Sequence, residues 1–153
     1  MTPVIQQTVR FRTTPNALFD LYLDSKEHSK STGMTASINR TVGGRFRTFD
    51  GMLEGKNLLI VPDRQIVQFW RATHWKKEHW SILILTFSRV AGGAQIDLVH
   101  VGSAGIRSEG SARGLAEILL EAVEEIFWEV REGVRGRWWN GWRRQGSVVE
   151  FAL

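Results

Sequence analysis

The feature that most constrains this chain is a run of short strand-like segments joined by tight-turn signals and followed by one long amphipathic segment. Paired glycines and Asp-Gly are typical of hairpin turns, because glycine adopts a positive φ without steric cost. Six strands are predicted, over residues 34–40, 45–49, 52–61, 66–72, 81–90 and 95–101. Turn signals mark four of the five junctions between them, at Gly43-Gly44, Asp50-Gly51, Pro62-Asp63 and Gly92-Gly93. Residues 4–12 alternate and predict a further strand. Two short helices are expected between this strand and the strand at residues 34–40, and Thr14-Pro15 opens the first of these helices.

The long segment, residues 111–132, has the apolar spacing of a helix, and Gly133 follows it where a helix often ends. Strands paired by hairpins and one amphipathic helix predict an α+β fold, with the helix laid on an antiparallel sheet. The length of 153 residues predicts one domain. We expect that domain to span residues 1–133, and residues 134–153 to form a basic, tryptophan-rich tail of doubtful function.

Composition excludes several classes of protein. The chain contains no cysteine, which rules out disulfides, thiolate metal sites and a cysteine nucleophile. It has no apolar run long enough to span a membrane, and no apolar segment of the kind that a secretory signal needs. We therefore expect a cytoplasmic protein that does not bind membranes.

The net charge of +4 is unevenly distributed. Residues 1–102 and 134–153 are basic, whereas residues 103–133 are acidic. A nucleic-acid-binding protein usually presents one continuous basic face, so nucleic acid is not an expected partner. The tail resembles a basic-aromatic binding patch only in composition.

No catalytic or metal-binding constellation is visible. The four histidines have no ligand spacing such as HExxH, and no G-x-S-x-G motif is present. Glu124 and Glu125 are adjacent on the predicted helix and diverge, so they cannot act as a pair. The sequence therefore predicts no catalytic residues, no metal and no cofactor.

Several strings resemble one known family. TVRFRTTPNALFDLY, VGGRFRTFDG, LLIVPDRQIVQFWR and HWSILILTF are similar, in order and spacing, to the C-terminal domain of activators of heat-shock protein 90 ATPase and their bacterial relatives. The matching residues are Gly43, Gly44, Arg45, Phe46, Asp50, Gly51, Pro62, Ile66, Val67, Trp70, Arg71, Trp75, Ser81, Thr86 and Phe87. The resemblance implies the helix-grip fold of the START-like, birch-pollen-allergen-like (SRPBCC) superfamily. In that fold an antiparallel sheet wraps around a long C-terminal helix.

The resemblance implies a non-enzymatic binding module with an apolar small molecule held between the sheet and the long helix. The expected lining residues are Phe46, Thr48, Met52, Trp70, Trp80, Leu98 and His100 from the sheet, with Leu119 and Val123 from the helix. His100 shares a strand face with Ile96 and Leu98, and a structural role for it stays open beside ligand contact. The tryptophans likewise fill either core or pocket.

Two alternatives follow from the same resemblance. The first is a cochaperone that stimulates a heat-shock protein 90 homologue. Its outer surface would then contact an acidic partner, and Arg45, Arg47, Lys76 and Lys77 are the expected contacts. The second is an enzyme of the cyclase or aromatase type, since the superfamily includes such proteins and fold alone does not decide function.

The chain departs from the family pattern after about Gly102, where the family has V-P-x-x-D…G-W-x-x-Y-Y-W-x-P-W-x-x-Y. If residues 103–108 are written AGT GCC GGC ATA CGA TCC, a shift by one base gives Val-Pro-Ala-Tyr-Asp-Pro. A similar shift over residues 115–124 recovers the aromatic end of the pattern. The sequence thus predicts a frameshift near codons 102–103, which the coding DNA tests. A divergent natural terminus is the alternative.

Overall fold

The structure is a computed structural model that describes residues 4–102 together with the segments 143–145 and 148–150. Its elements are β1 Val4–Phe11, α1 Pro15–Leu23, α2 Ser25–Thr32, β2 Ser37–Ile38, β3 Arg45–Thr48, β4 Leu53–Val61, β5 Gln65–Ala72, β6 Ser81–Val90, β7 Gly93–Val101, β8 Arg143–Gln145 and β9 Val148–Glu150. The hairpin-linked antiparallel strands confirm the fold class. The expected long helix over residues 111–132 and the domain limit at residue 133 lie outside the described residues.

The strands form one sheet in the order β2-β3-β4-β5-β6-β7-β1-β9-β8. Strands β2 to β7 pair with their sequence neighbours, and β1 pairs antiparallel with β7, so the first and last strands of the 4–102 segment lie side by side. Strand β9 joins the free edge of β1 in parallel, at Thr8 and Val148. The sequence pattern did not predict strands β8 and β9 in the basic tail.

One face of the sheet is covered by α1 and is called the inner face here; the opposite face is the outer face. The ring of Phe19 in α1 meets Phe87 in β6 edge to face, with ring centroids 5.6 Å apart. Side chains alternate between the two faces along each strand. The apolar inner positions of β5, β6 and β7 are almost fully buried: Ile66, Trp70, Leu83, Leu85, Phe87, Ala94, Ile96 and Leu98.

The two helices begin and end where their sequences predict. The Thr14 hydroxyl accepts a hydrogen bond from the backbone N–H of Ala17, and Pro15 occupies the first turn. The Asp24 carboxylate caps α2, which ends at Gly33 with φ of 69°. With nine and eight residues, neither helix is long enough to span a membrane.

Strand β2 is shorter than the predicted 34–40 segment. The backbone N–H of Thr35 donates to the Asp50 carboxylate at 2.7 Å, and that of Ala36 donates to the Ser29 hydroxyl at 2.8 Å. These donors are satisfied by side chains, so they do not extend the ladder. The hydrogen bonds from Thr35 also lower the pKa of the Asp50 carboxyl.

Strand β4 contains a β-bulge, which lies beyond Asn57 and not at Gly55, the one glycine of the strand. Asn57 pairs with Gln68 and Leu59 with Val67, so Leu58 is the extra residue. Gly55 instead allows a close approach. A Cβ there would lie 1.9 Å from the carbonyl oxygen of Phe69 and 2.6 Å from the ring of Phe46. Glycine is therefore required for β4 to pair with β5.

Candidate functional site

A buried histidine lies on the inner face near the end of β7. The side chain of His100 is fully buried, and its Nε2 lies 2.6 Å from the hydroxyl oxygen of Ser81. The Ser81 hydroxyl also donates to the carbonyl of Trp70 at 3.0 Å. The indole of Trp70 meets the imidazole edge to face, with centroids 5.2 Å apart. Burial lowers the pKa of His100 from 6.5 to about 4, so its ring is neutral at pH 7.

One tautomer of His100 satisfies both contacts of the Ser81 hydroxyl. A hydroxyl has one proton, and Ser81 gives it to the Trp70 carbonyl. Nε2 of His100 then carries the proton and donates to Ser81, which leaves Nδ1 with a free lone pair. Nδ1 is buried and has no hydrogen-bond partner among the described residues. In this tautomer the imidazole does not accept the serine proton, so the pair is not arranged as a nucleophile and its base.

A second network of hydrogen-bonded polar side chains crosses the inner face. The hydroxyl of Tyr22 in α1 donates to Oε1 of Gln68 at 2.8 Å, and Nε2 of Gln68 donates to Oδ1 of Asn57 at 2.9 Å. Nδ2 of Asn57 donates to the carbonyls of Asn39 and Thr41. Burial raises the pKa of the Tyr22 hydroxyl, so it stays a donor. This network, which we call the Tyr22–Gln68–Asn57 relay, connects α1 to β5, to β4 and to the loop before β3.

Cross-strand register brings most of the expected lining residues onto one face. Phe46 and Trp70 are both paired with Gly55, Leu83 with His100, and Leu85 with Leu98. Directly paired residues lie on the same side of a sheet. The residues placed together on the inner face are Phe46, Thr48, Trp70, Leu98 and His100, all of them buried. Leu119 and Val123 lie outside the described residues, and ligand binding here stays a prediction.

Two expected lining residues are placed elsewhere, which corrects their assignment to the inner pocket. Met52 lies in the turn before β4 and is 51% exposed. Trp80 packs against Phe69, with centroids 5.5 Å apart, and the Arg71 guanidinium lies 5.5 Å from its ring. Phe69 and Arg71 alternate with the inner residue Trp70, so Trp80 lies on the outer face.

The outer face of β3, β4 and β5 contains a groove of about 830 Å³, which we call the outer groove. Its apolar lining comes from Leu58, Phe69 and Trp80. Its charged lining comes from Arg45, Arg47, Lys56 and Glu54. Ser37, Phe46 and Gly55 complete it. The groove thus combines an aromatic floor with a mainly basic rim.

The four expected partner contacts are all exposed. Arg45 and Arg47 lie on β3, where both line the outer groove. Lys76 and Lys77 lie in the 73–80 loop, beside Trp80, whose indole N–H donates to the carbonyl of Lys77 at 3.0 Å. The sequence did not identify Lys56, Leu58 or Phe69 as site residues.

The sequence contains only a weak indication that Lys56, Leu58 and Phe69 line a groove. Lys56 and Phe69 occupy alternating outer positions, but Leu58 reaches the surface only because of the bulge, which no turn residue marks.

In the part of the chain that the structure describes, no three histidine or carboxylate side chains come together as metal ligands would.

Solved structures with this fold include an HSP90 activator from Plasmodium falciparum, at a TM-score of 0.70 and 22% identity, covering 82% of this chain and 96% of that one. Another is Ara h 8.0201, at a TM-score of 0.72 and 10% identity, covering 86% of this chain and 99% of that one. At these identities the likeness shows the fold alone, and it confirms the helix-grip architecture.

Curated relatives carry consistent names. The human "Activator of 90 kDa heat shock protein ATPase homolog 1" is 25% identical over 117 residues, which are 76% of this chain and 35% of the human protein. The mouse "Activator of 90 kDa heat shock protein ATPase homolog 2" is 28% identical over 97 residues, which are 63% of this chain and 29% of that protein. The chain therefore spans about a third of the length of these relatives.

The family model described as "Activator of Hsp90 ATPase homolog 1-like protein" matches residues 12–128. The match extends past Gly102, where the sequence departs from the expected pattern; the frameshift stays a prediction. Since the match covers more than half of the 153 residues, this chain belongs to the Activator of Hsp90 ATPase homolog 1-like protein family.

Proposed function

We propose that this chain is a non-enzymatic binding module that docks on a heat-shock protein 90 homologue and stimulates its ATPase. The observation that carries the proposal is the exposed basic surface beside the outer groove, formed by Arg45, Arg47, Lys76 and Lys77. Basic groups on one side steer an acidic partner into place and fix its orientation. The names of the relatives supply the class of partner.

The loop that carries the two lysines is held in place. Arg71 is 7% exposed, and its Nη2 donates to the carbonyls of Thr73 at 3.2 Å and Trp75 at 2.9 Å. A loop fixed in this way loses less conformational entropy when a partner binds. Lys76 and Lys77 are therefore presented by a preorganised segment and not by a free one.

The test is the ATPase rate of a purified bacterial heat-shock protein 90 homologue mixed with this chain. We expect stimulation that is stronger at low salt than at high salt, because exposed charges are screened over about 10 Å at 0.1 M. The double variant Lys76→Glu/Lys77→Glu should abolish the gain. The matched charge reversal Lys26→Glu/Lys30→Glu, on α2, should retain it, as should His100→Ala. Absence of stimulation at every salt concentration would overturn the proposal.

A second candidate is the binding of an apolar small molecule on the inner face. It is favoured by Nδ1 of His100, a buried acceptor without a partner among the described residues, beside the apolar side chains of Trp70 and Leu98. Such an atom is stabilised by a ligand that donates a hydrogen bond, so a hydroxyl-bearing apolar compound fits better than a carboxylate.

The small-molecule candidate is tested by thermal shift with paired ligands. Phenols and sterols should raise the Tm by mass action, whereas their O-methyl ethers, which lack the donor, should raise it less. In His100→Phe the difference between each pair should disappear. Equal shifts for the paired ligands in the unmodified chain would contradict a role for His100. An enzymatic role of the cyclase type has weaker support, since the Ser81–His100 pair is not an activated nucleophile.

A further inference from the structure

The outer groove has a floor of packed aromatic rings. Phe69 and Trp80 lie with centroids 5.5 Å apart and planes inclined by 56°. The Arg71 guanidinium on β5 lies 5.5 Å from the centroid of the Trp80 indole and forms a cation–π contact with it. The indole N–H donates to the Lys77 carbonyl at 3.0 Å. The floor is therefore preorganised, and its two rings form a single combined surface.

The bulge in β4 adds an aliphatic wall to this floor. Leu58 has no partner opposite it on β5, and it is 37% exposed. Without the extra residue, Leu59 would follow Asn57 directly, and Leu58 would not extend the outer side of the ladder between Lys56 and Leu59. The bulge thus brings a large apolar side chain next to the rings, although exposure to water costs free energy.

The rim contains two cations that repel each other. Arg45 and Lys56 are directly paired across β3 and β4, and both are exposed. Like charges opposite each other destabilise a sheet. No carboxylate among the described residues forms an ion pair with either of them. In contrast, Arg47 faces Glu54, with Nε and Oε2 3.7 Å apart.

Glu54 does not neutralise this rim. Its carboxylate lies 3.7 Å from both the Arg47 and the Arg71 guanidinium groups, so its charge is already offset. Within residues 4–102, the exposed cations Arg45 and Lys56 therefore have no carboxylate that neutralises them. An acidic segment of a bound partner would supply such an anion.

We propose that the outer groove binds an acidic peptide segment of a protein partner, with one aromatic or large aliphatic side chain seated on Phe69, Trp80 and Leu58. Carboxylates on either side of that anchor pair with Arg45 and Lys56. An apolar centre with a charged rim is the usual arrangement of an interaction hot spot. The inference rests on the proposed docking function and specifies the chemistry of the partner segment.

A single-stranded nucleic acid is the other anionic ligand with apolar rings. It stacks successive bases on separate aromatic side chains along a continuous basic path. Here the two rings pack on each other, a leucine forms the wall, and Glu54 lies in the rim. The lining therefore favours a peptide.

The experiment is a fluorescence-anisotropy titration of the full chain with a labelled peptide of glutamates around a central phenylalanine. Two matched peptides replace the phenylalanine by glycine, or the glutamates by lysines. We expect the first peptide to bind at low salt, and each replacement to weaken binding by about tenfold or more. Equal binding of the glycine peptide, or tighter binding of a labelled single-stranded oligonucleotide, would overturn the inference.

The informative variant is Lys56→Glu. It places a carboxylate opposite Arg45, so it should keep or raise the Tm while weakening peptide binding by about tenfold or more. A merely structural role for Lys56 predicts no change in binding. Leu58→Ser, at an exposed position that leaves the core intact, should weaken binding without loss of fold. Lys30→Glu is the matched control, with unchanged affinity.

The result separates the two proposals. Stimulation of the chaperone without peptide binding would refute the groove and leave docking in place. Peptide binding that depends on Lys56 and Leu58, without stimulation, would support the groove and refute the chaperone as its partner.

Discussion

The side-chain amides of Asn57 and Gln68 are hydrogen-bonded to each other across β4 and β5, with Nε2 of Gln68 2.9 Å from Oδ1 of Asn57. Both residues are buried, at 0% and 2% exposure. Each amide also bonds away from the pair, Gln68 to Tyr22 and Asn57 to two backbone carbonyls. The pair therefore couples the position of α1 to that of the loop before β3.

Asn57→Ala should lower the free energy of unfolding by about 3 kcal/mol. The substitution removes the partner of one N–H donor of Gln68 and of the Asn39 carbonyl, whereas the Thr41 carbonyl keeps its hydrogen bond from the backbone N–H of Gly44. An unsatisfied buried polar group costs about 1–3 kcal/mol. Urea denaturation at pH 7 measures the change. Asn16→Ala, at an exposed asparagine, should change the value by no more than about 0.5 kcal/mol. Similar losses in the two variants would refute the relay.

The stability of the fold should fall as the pH drops from 6.5 to 4. His100 has its pKa lowered to about 4 in the folded chain, so between these values the unfolded chain binds the proton first. The stabilisation by neutral His100 is present above pH 6.5 and is lost towards pH 4. The interval corresponds to about 3 kcal/mol at about 1.4 kcal/mol per pH unit. Burial also lowers the pKa of His28, which adds to the loss with the same sign.

The variant His100→Gln isolates this contribution. Glutamine still donates to Ser81 but does not titrate, so the unfolding free energy should depend less steeply on pH. Urea denaturation over a pH series compares the two chains, and His74→Gln, at an exposed histidine, serves as the control. Parallel pH profiles for His100→Gln and the unmodified chain would contradict the assignment.

Gly55→Ala should destabilise the fold by about 3 kcal/mol or more. The added Cβ would collide with a backbone oxygen of β5, which cannot move without breaking the β4–β5 ladder. Gly43→Ala is the matched control, because a Cβ there meets nothing within 4 Å, and only its φ of 77° costs about 1–2 kcal/mol. Midpoints of urea denaturation rank the two variants. A smaller loss at Gly55 than at Gly43 would show that β4 and β5 are less closely paired.

Arg71→Lys should loosen the 73–80 loop without changing the charge. Lysine cannot reproduce the planar guanidinium that bonds the carbonyls of Thr73 and Trp75 and stacks on Trp80. Amide hydrogen exchange should become faster in this loop and stay unchanged in β6 and β7. Arg64→Lys, at an exposed arginine, is the control. Unchanged exchange in the loop would show that Arg71 does not hold it.

The hairpin order could be predicted because most of the turns carry a local signal, as at Gly43-Gly44 and Asp50-Gly51, although the 73–80 connection contains no turn residue. The face of the sheet on which Trp80 lies could not be predicted. Strand β6 begins Ser81-Ile82-Leu83-Ile84-Leu85, with apolar residues on both sides, so its alternation does not distinguish the inner face from the outer face. The inner position of His100 followed correctly from β7, where Ile96 and Leu98 share its phase while Asp97 does not. Its hydrogen bond to Ser81 depends on cross-strand register, which no local pattern gives.

The bulge at Leu58 has a consequence for how such a surface arises. Asn57 and Leu59 are already in consecutive register with Gln68 and Val67, so deleting Leu58 would leave a regular ladder and every core contact in phase. The wall of the outer groove is thus a one-residue insertion, separable from the residues that make the chain fold. A change of one codon would therefore remove the aliphatic wall of the outer groove while leaving the buried residues of β4 in register with β5.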